Sequence, residues 1–220
     1  MAQLANRMKA PGDLALRWKT YDLVKKVFDQ IFSIVVTVLV VPIGIIIAIC
    51  IVVDNPGPVF YCQQRVGKNQ EPFQIIKFRT MRLSADAEFD GLARECGYET
   101  NSVQFKLKND PRVTRFGKIL RRLSLDELPQ ILNVLMGQMS FVGPRPHVPL
   151  EVSKYPLESE LRHVVRPGIT GLWQVSGRSN LAWEESISLD LEYVRSRSFA
   201  KDFQILCLTP VAVLSGRGAY

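Results

Sequence analysis

The feature that most restricts the fold of this chain is an uncharged apolar segment near its N-terminus. Residues 31–53, IFSIVVTVLVVPIGIIIAICIVV, contain no charged side chain. A helix rises about 1.5 Å per residue, so this segment is long enough to cross the hydrocarbon core of a bilayer. It is too long, and begins too far from the N-terminus, to be the core of a signal peptide. We therefore predict a membrane-embedded helix and a lipid bilayer as a partner of the chain.

Two courses through the membrane are open to this segment. Pro42 and Gly44 lie near its middle, and proline kinks or breaks a helix because it removes a backbone donor and crowds the preceding turn. Cationic residues, which favour the cytoplasmic side, flank the segment on both sides: Arg7, Lys9, Arg17, Lys19, Lys25 and Lys26 before it, and Arg65, Lys68, Lys77, Arg79 and Arg82 after it. These observations favour a re-entrant hairpin broken at Pro42. A kinked spanning helix is the alternative, since spanning helices tolerate proline.

The charge and cysteine content narrow the class of protein. The net charge is +7, which indicates either nucleic acid or an anionic membrane surface as a partner. Neither zinc-finger spacing nor an aromatic RNA-binding motif is present, so we expect no nucleic-acid partner. The four scattered cysteines predict reduced thiols, without a disulfide framework or a metal site; they are Cys50, Cys62, Cys96 and Cys207.

The remaining pattern predicts an α+β fold that is mainly helical. We divide the chain into an N-terminal segment (1–20), the membrane hairpin with its leading helix (21–54) and a cytoplasmic catalytic domain (55–220). Alternating strand-like runs joined by a turn-rich stretch predict a β-hairpin over 59–65 and 73–79. Helical spacing predicts helices over 84–96, 115–123, 128–136, 156–165 and 181–197, with Gly137 as a stop signal. The apolar run 203–214, kinked by Pro210, is too short to span, so we expect an interfacial or core-packed helix.

The adjacent carboxylates Asp126 and Glu127 allow two interpretations. Ser124 and Glu127 fit the S-x-x-E capping box of a helix N-terminus, where acids also complement the helix dipole. If the helix begins later, Pro129 falls in its first turn, where proline is well tolerated. The two registers exclude each other, and Pro129 favours the later one. If the helix begins at the later position, neither acid is needed as a helix cap, and both carboxylates are available to bind or react with a ligand.

Cations in stiff turns support the chemical interpretation. Arg145 lies between two prolines, Arg166 precedes Pro-Gly, and Lys77 and Arg79 end the predicted hairpin. Arginines held in this way suit bidentate binding of phosphate oxygens. Two carboxylates beside them could hold Mg²⁺, or Mn²⁺, together with substrate phosphates.

Other catalytic motifs are absent from the sequence. There is no P-loop, GxSxG, HExxH or Asp-x-Asp motif. The lone histidines His147 and His163 are typical of structural or surface positions rather than of a catalytic base.

Four ordered blocks carry a resemblance to a known family. They are KFRTM (77–81), LSLDELPQ (123–130), FVGPRP (141–146) and RPGITGLWQVSGR (166–178). Together they resemble the signature blocks of the bacterial sugar transferases, also called monotopic phosphoglycosyl transferases. The resemblance extends from about Tyr21 to Tyr220. It is closest to the undecaprenyl-phosphate galactose phosphotransferases of exopolysaccharide synthesis.

The resemblance implies a reaction at the cytoplasmic face of the bacterial inner membrane. Such enzymes move a sugar 1-phosphate, here galactose or glucose, from a UDP-sugar to undecaprenyl phosphate and release UMP. By position, Asp126 would be the nucleophile and Glu127, with Asp126, would bind Mg²⁺. The resemblance also implies phosphate or nucleotide contacts for Arg121 and Arg145, and a further acid near the site at Asp202. The family's helix break matches Pro42, although Val41 stands where some members have serine.

Two rival functions are considered beside this one. The first is a membrane-anchored, non-enzymatic interaction module of a polysaccharide assembly complex, in which the fixed arginines would have no use. The second is a transferase acting on CDP-linked donors, whose motif of spaced aspartates is absent. The sequence leaves open which sugar is transferred and whether the chain forms a homo-oligomer.

Overall fold

A mainly helical body with two small sheets follows the long N-terminal helix. The computed structural model describes residues 12–85, 87–89, 91 and 110–215. Its helices and short two-stranded sheets confirm the predicted α+β, mainly α class. Most of the helix predicted over 84–96 lies outside the described residues, as does Cys96. The other cysteines, Cys50, Cys62 and Cys207, are free thiols.

The first helix, α1 (Gly12–Asp54), contains the whole apolar segment. Within Trp18–Asp54, the most apolar stretch of 18 residues has a mean hydropathy of 3.2, so this helix is long and apolar enough to cross a membrane. The chain stays helical through Pro42, which lies inside α1. The physical reason is that proline removes one hydrogen bond of the ladder while the neighbouring bonds remain. The re-entrant course stays a prediction.

Helix α1 packs against the rest of the protein at both ends and is exposed between them. Toward its N-terminus Tyr21 and Ser33 are buried, and toward its C-terminus Ile47 and Ile51 are buried. No residue from 34 to 46 is buried. Large apolar side chains dominate this exposed stretch: Ile34, Val35, Val38, Leu39, Val41, Ile43, Ile45 and Ile46. The middle of α1 therefore presents an apolar surface that the protein itself does not cover.

A β-hairpin follows α1, as predicted. Strands β1 (Phe60–Val66) and β2 (Pro72–Phe78) are antiparallel, with each predicted boundary within one residue of the observed one. Phe73 and Ile75 of β2 are buried in a core cluster with Val134. The hairpin is thus fixed on the helical body through β2.

Two short helices flank the acidic pair. Helix α2 (Arg115–Arg122) is capped by the hydroxyl of Thr114, which accepts a hydrogen bond from the backbone N–H of Gly117. Helix α3 (Gln130–Leu135) ends before Gly137, whose φ of +76° suits a glycine that stops a helix. Both helices confirm the predictions for this region.

The second sheet brings two of the sequence blocks together. Strand β3 (Ser140–Val142) runs parallel to β4 (Gly168–Thr170). A Cβ at Gly143 would lie 2.6 Å from the carbonyl oxygen of Arg166, and one at Gly168 would lie 2.1 Å from the nitrogen of Gly143. Only glycine allows this approach of the two backbones.

The remaining helices complete the body. They are α4 (Pro149–Val152), α5 (Leu172–Ser176), α6 (Trp183–Ser196) and α7 (Phe199–Leu214). The helix predicted over 156–165 is a 3₁₀ helix, Leu157–Val164, and not an α-helix. Helix α7 buries Ile205 in the core and exposes Phe203, Val211 and Leu214. It therefore packs on the core with one face, as expected, and exposes an apolar face on the other side; an interfacial position of this helix stays a prediction.

Candidate active site

The acidic pair lies at the wall of a cavity of about 810 Å³. Its lining includes residues of the hairpin, α2, the segment between α2 and α3, the loop after β3, and helices α3, α5, α6 and α7. Elements that are far apart in the sequence therefore meet at one cavity. Among the residues selected from the sequence, the cavity brings together Lys77, Arg79, Arg121, Asp126, Glu127 and Arg145.

The backbone around the pair excludes the capping box. Ser124 has a left-handed conformation (φ 54°), and its side chain caps no helix. Leu125–Glu127 form one 3₁₀ turn, and α3 begins only at Gln130, with Pro129 directly before it. The later helix start favoured by Pro129 is therefore confirmed, and neither acid is used as a helix cap.

Glu127 is held by two cations. Its Oε1 atom lies 2.8 Å from Nζ of Lys77 and 3.5 Å from Nη1 of Arg145. Burial alone would raise the pKa of Glu127, but the charges of Lys77 and Arg145 outweigh burial and lower the pKa to about 2. Glu127 is therefore ionised at neutral pH and fixed in place.

Asp126 has a different environment from its neighbour. Within the described part of the chain, no hydrogen bond or ion pair fixes its carboxylate. Burial, reinforced by the negative charge of Glu127, raises the pKa of Asp126, and the nearby cations Lys77 and Arg121 only partly oppose this. One carboxylate of the pair is thus fixed, while the other is free to react with a ligand.

Three arginines project toward the pair from three different elements. Nε of Arg121 donates to Oγ1 of Thr80 at 3.0 Å. The guanidinium of Arg145 lies over the ring of Trp173, with its Cζ 5.5 Å from the ring centre. Nη2 of Arg178 donates to Oγ of Ser124 at 3.3 Å. Each guanidinium carries five N–H groups, so these contacts leave donors for a ligand.

Arg178 is a residue of the site that no local sequence pattern marks. It lies in the block 166–178, but it follows a glycine without a flanking proline, so the signal used for Arg145 was missing. Its backbone is left-handed, with φ of 55°. The negative charges of Glu127 and Asp126 both act on its guanidinium. Arg178 therefore belongs to the same charged group as Arg121 and Arg145.

Arg79 has a structural role in addition to its place in the cavity wall. Its guanidinium donates to Oδ1 of Asn55 at 3.0 Å and also to the carbonyl oxygen of Asn55. These bonds hold the loop that follows α1, and Arg79 itself is buried. Its donors are therefore largely used within the protein.

Arg166 and Asp202 do not line the cavity. Asp202 is buried, and its Oδ2 accepts hydrogen bonds from Tyr21 at 2.6 Å and Lys25 at 2.7 Å, while its Oδ1 accepts one from Tyr193 at 2.8 Å. Arg166 lies 3.8 Å from the carboxylate of Asp29. These residues form a buried polar cluster between α1, α6 and α7. The expected substrate contact of Arg166 and the site proximity of Asp202 thus have no support in the cavity geometry.

Arg162 supports Arg145 from behind and was missed by sequence reasoning. Its Nη2 donates to the carbonyl oxygen of Arg145 at 2.8 Å and to the carboxylate of Asp190. Its Nη1 lies 2.6 Å from Nδ1 of His147, so this histidine nitrogen must accept the bond and carry no proton. Burial, with the charge of Arg162, lowers the pKa of His147. Both predicted structural histidines, His147 and His163, are buried.

The acidic pair fits a magnesium ion only in combination with phosphates. In the part of the chain that the structure describes, no group of three or more His, Cys, Asp or Glu side chains could enclose a metal. Mg²⁺ needs no such group, because it binds one or two carboxylates together with substrate phosphates and water. Asp126 and Glu127, adjacent in one cavity wall, are compatible with that donor set.

An apolar wall completes the cavity. Leu128, Ile131 and Phe141 line it near the acidic pair, and Ile169 and Val213 extend it toward α7. The cavity therefore combines a cationic region around two carboxylates with an apolar side next to a helix whose outer face is exposed and apolar.

Comparison with known proteins assigns the chain to a family. The sequence model of a family described as "Bacterial sugar transferase" matches residues 20–216. The chain is 40% identical over 200 residues to the exopolysaccharide production protein ExoY of Rhizobium meliloti, covering 90% of this chain and 88% of that protein. It is 39% identical to the undecaprenyl-phosphate galactose phosphotransferase of Salmonella typhimurium, covering 97% of this chain and 44% of that protein. It is 40% identical to the UDP-glucose:undecaprenyl-phosphate glucose-1-phosphate transferase of Xanthomonas campestris, covering 89% of this chain and 40% of that protein. The chain belongs to the bacterial sugar transferase family.

Proposed function

We propose that the protein transfers a sugar 1-phosphate from a UDP-sugar to undecaprenyl phosphate and releases UMP. The observation that carries this proposal is the pairing of a free carboxylate, Asp126, with a fixed one, Glu127, in a cavity wall shared with Arg121, Arg145 and Arg178. The names of the relatives in Salmonella and Xanthomonas support the two substrates.

The reaction divides into two displacements at one phosphorus atom. A carboxylate oxygen of Asp126 attacks the phosphorus that carries the sugar, and the bond from this phosphorus to the oxygen of UMP breaks. An oxygen of undecaprenyl phosphate then attacks the same phosphorus and restores the Asp126 carboxylate. The product is a sugar diphosphate of undecaprenol. A covalent intermediate of this kind replaces one difficult step with two easier ones.

The charged residues have separate roles in this scheme. Arg121 and Arg178 would bind the diphosphate and stabilise the negative charge that develops on the leaving UMP. Lys77 and Arg145 hold Glu127 beside the nucleophile. Asp126 and Glu127 would hold Mg²⁺, which supplies additional charge stabilisation on the phosphate oxygens when bound.

The contacts of α1 support a re-entrant course on one side of the membrane. The stretch without buried residues, 34–46, is about 20 Å long as a helix, which is shorter than the roughly 30 Å of a bilayer core. Gln30 donates to the carbonyl oxygen of Leu135 on one side of this stretch, and Ile51 packs with Leu120 on the other. A spanning α1 would therefore pull parts of the catalytic domain into the hydrocarbon.

We predict that both flanks of the apolar segment lie on the cytoplasmic side of the inner membrane. In a background without native cysteines, Lys19→Cys and Lys68→Cys should react with a membrane-impermeant maleimide only after spheroplasts are permeabilised. A periplasmic reporter cysteine in the same sample checks that the reagent is active. Labelling of the Lys19→Cys protein in intact spheroplasts, without labelling of the Lys68→Cys protein, would show that α1 spans.

The raised pKa of Asp126 predicts an early loss of activity on acidification. A carboxylate whose pKa lies above the ordinary 3.8 binds a proton at a pH where most aspartates are ionised, and the protonated form is a poor nucleophile. The rate of UMP release in the absence of acceptor should therefore fall at a pH clearly above 3.8. Measuring this half-reaction avoids titration of the acceptor phosphate, and a parallel circular dichroism series controls for unfolding. A rate that stays constant down to pH 4 would contradict the assignment.

The direct test of the proposed function is UMP release from a panel of UDP-sugars. Purified protein in nanodiscs should release UMP in steady state only when undecaprenyl phosphate is present, and excess chelator should remove the activity until Mg²⁺ or Mn²⁺ is restored. UDP-galactose and UDP-glucose are the first donors to compare. Absence of UMP release from every donor, with folded protein, would favour a non-enzymatic interaction module.

A further inference from the structure

The amide of Gln174 is a buried polar group in the cavity wall without a protein partner. Gln174 lies on α5, is only 8% exposed and lines the same cavity as the acidic pair. Neither its Oε1 nor its Nε2 atom has a hydrogen-bond partner among the described residues. Buried polar groups in folded proteins are nearly always hydrogen-bonded, because an unpaired one loses its contacts with water and gains nothing in return.

The surroundings fix this amide beside the cationic residues of the site. Oε1 lies over Gly171, where a Cβ would come within 2.6 Å of it. The preceding residue, Trp173, carries the guanidinium of Arg145 on its ring. Arg178 follows Gln174 four residues later in the sequence and lines the same cavity. The unpaired amide therefore lies in the wall of a cavity that also has groups suited to a diphosphate.

We propose that Gln174 recognises the donor substrate through a paired hydrogen bond. A glutamine amide offers one carbonyl acceptor and two N–H donors side by side. Two parts of a UDP-sugar present a matching donor and acceptor: the imide edge of uracil and a hydroxyl pair of the sugar. Identifying the ligand as a UDP-sugar rests on the proposed function. The observation that the Gln174 amide is buried and unpaired is independent of the proposed function.

Two measurements on the full-length Gln174→Leu protein test this inference. Leucine has a similar volume and cannot form hydrogen bonds. The ligand-free variant should melt at the same temperature as wild type or higher, because an unpaired buried amide has been removed. Its affinity for the donor should fall roughly tenfold, as expected for the loss of one or two hydrogen bonds to a neutral group. A glutamine with a purely structural role gives the opposite pattern, namely a lower melting temperature and unchanged affinity.

A comparison of three ligands shows whether Gln174 bonds to uracil or to the sugar. Calorimetric titration with UMP, UDP-galactose and UDP-glucose needs no turnover. If all three affinities fall by the same factor, Gln174 contacts uracil. If UMP binds as before and the UDP-sugars bind more weakly, Gln174 contacts the sugar and contributes to donor selection.

Controls and alternative outcomes complete the experiment. Gln64→Leu, at an exposed position of β1 outside the cavity wall, should change neither melting temperature nor affinity. Gln174→Met keeps the length of the side chain and replaces the leucine variant if that protein does not fold. Unchanged affinity for all three ligands would overturn the inference, and so would wild-type protein that binds none of them. Wild-type protein that binds UMP but never releases it from a donor would instead contradict the proposed function and leave the role of Gln174 in binding intact.

Discussion

Replacing Asp126 with asparagine should lower turnover by roughly 10⁴-fold or more, as expected when a covalent nucleophile is lost. The amide has nearly the same shape as the carboxylate but is a poor nucleophile. No hydrogen bond or ion pair among the described residues depends on the Asp126 side chain, so Asp126→Asn should melt no lower than wild type. The measurement is UMP release in nanodiscs, with melting followed in parallel.

Covalent trapping makes this test specific for the nucleophile. With donor but no acceptor, wild-type protein should gain the mass of one sugar phosphate, and Asp126→Asn should gain none. Asp54→Asn is the matched control, because its carboxylate lies at the exposed end of α1 and the amide oxygen can still accept the bond from the N–H of Phe116. An Asp126→Asn protein that retains a substantial part of the activity, or still gains the label, would rule out the proposed intermediate.

Replacing Arg162 with methionine should destabilise the protein by about 3–5 kcal/mol, because it leaves the carboxylate of Asp190 buried and unpaired. Both side chains are almost fully buried. For a chain of this size, the melting temperature should fall by roughly 10 °C. The bond from Arg162 to the carbonyl oxygen of Arg145 is lost as well. UMP release at a temperature where the variant is still folded should therefore also decrease.

A second substitution shows whether the unpaired charge causes this loss. The double variant Arg162→Met and Asp190→Leu removes both charges, and it should regain most of the stability, because apolar replacements of buried ion pairs are often neutral. Lys201→Met breaks the more exposed pair with Glu192 and should cost no more than about 1 kcal/mol. A single variant as stable as wild type would show that the buried pair contributes little. A double variant as unstable as the single one would point to lost packing instead.

The elements that the sequence predicted well are those governed by neighbours along the chain. The hairpin over 60–78 and the helix Arg115–Arg122 have their patterns in consecutive residues. The later start of α3 was also accessible, because Pro129 restricts the backbone locally. The same local restriction marks Asp126 and Glu127 as acids that are not needed to cap the helix.

Contacts between distant residues could not be predicted in this way. Arg162 is bound to His147 and Asp190, 15 and 28 residues away, and no local pattern marks it. Arg145 and Arg166 share the same kind of stiff turn, yet only Arg145 lines the cavity. Arg145 lies in the loop after β3, whereas Arg166 lies before β4 and near Asp29 of α1. Local rigidity therefore identifies an arginine that is held in place, but not what it faces.

The buried polar cluster around Asp202 has a consequence for the biogenesis of the protein. Lys25 leaves the ribosome early, and its partner Asp202 is synthesised 177 residues later. Until then Lys25, which will be buried, must stay hydrated in the polar part of α1 that precedes the apolar segment. Pairing across such a separation requires the whole intervening chain to be made first. The closing of this cluster therefore marks the moment at which the first and last helices of the described chain become one assembled unit.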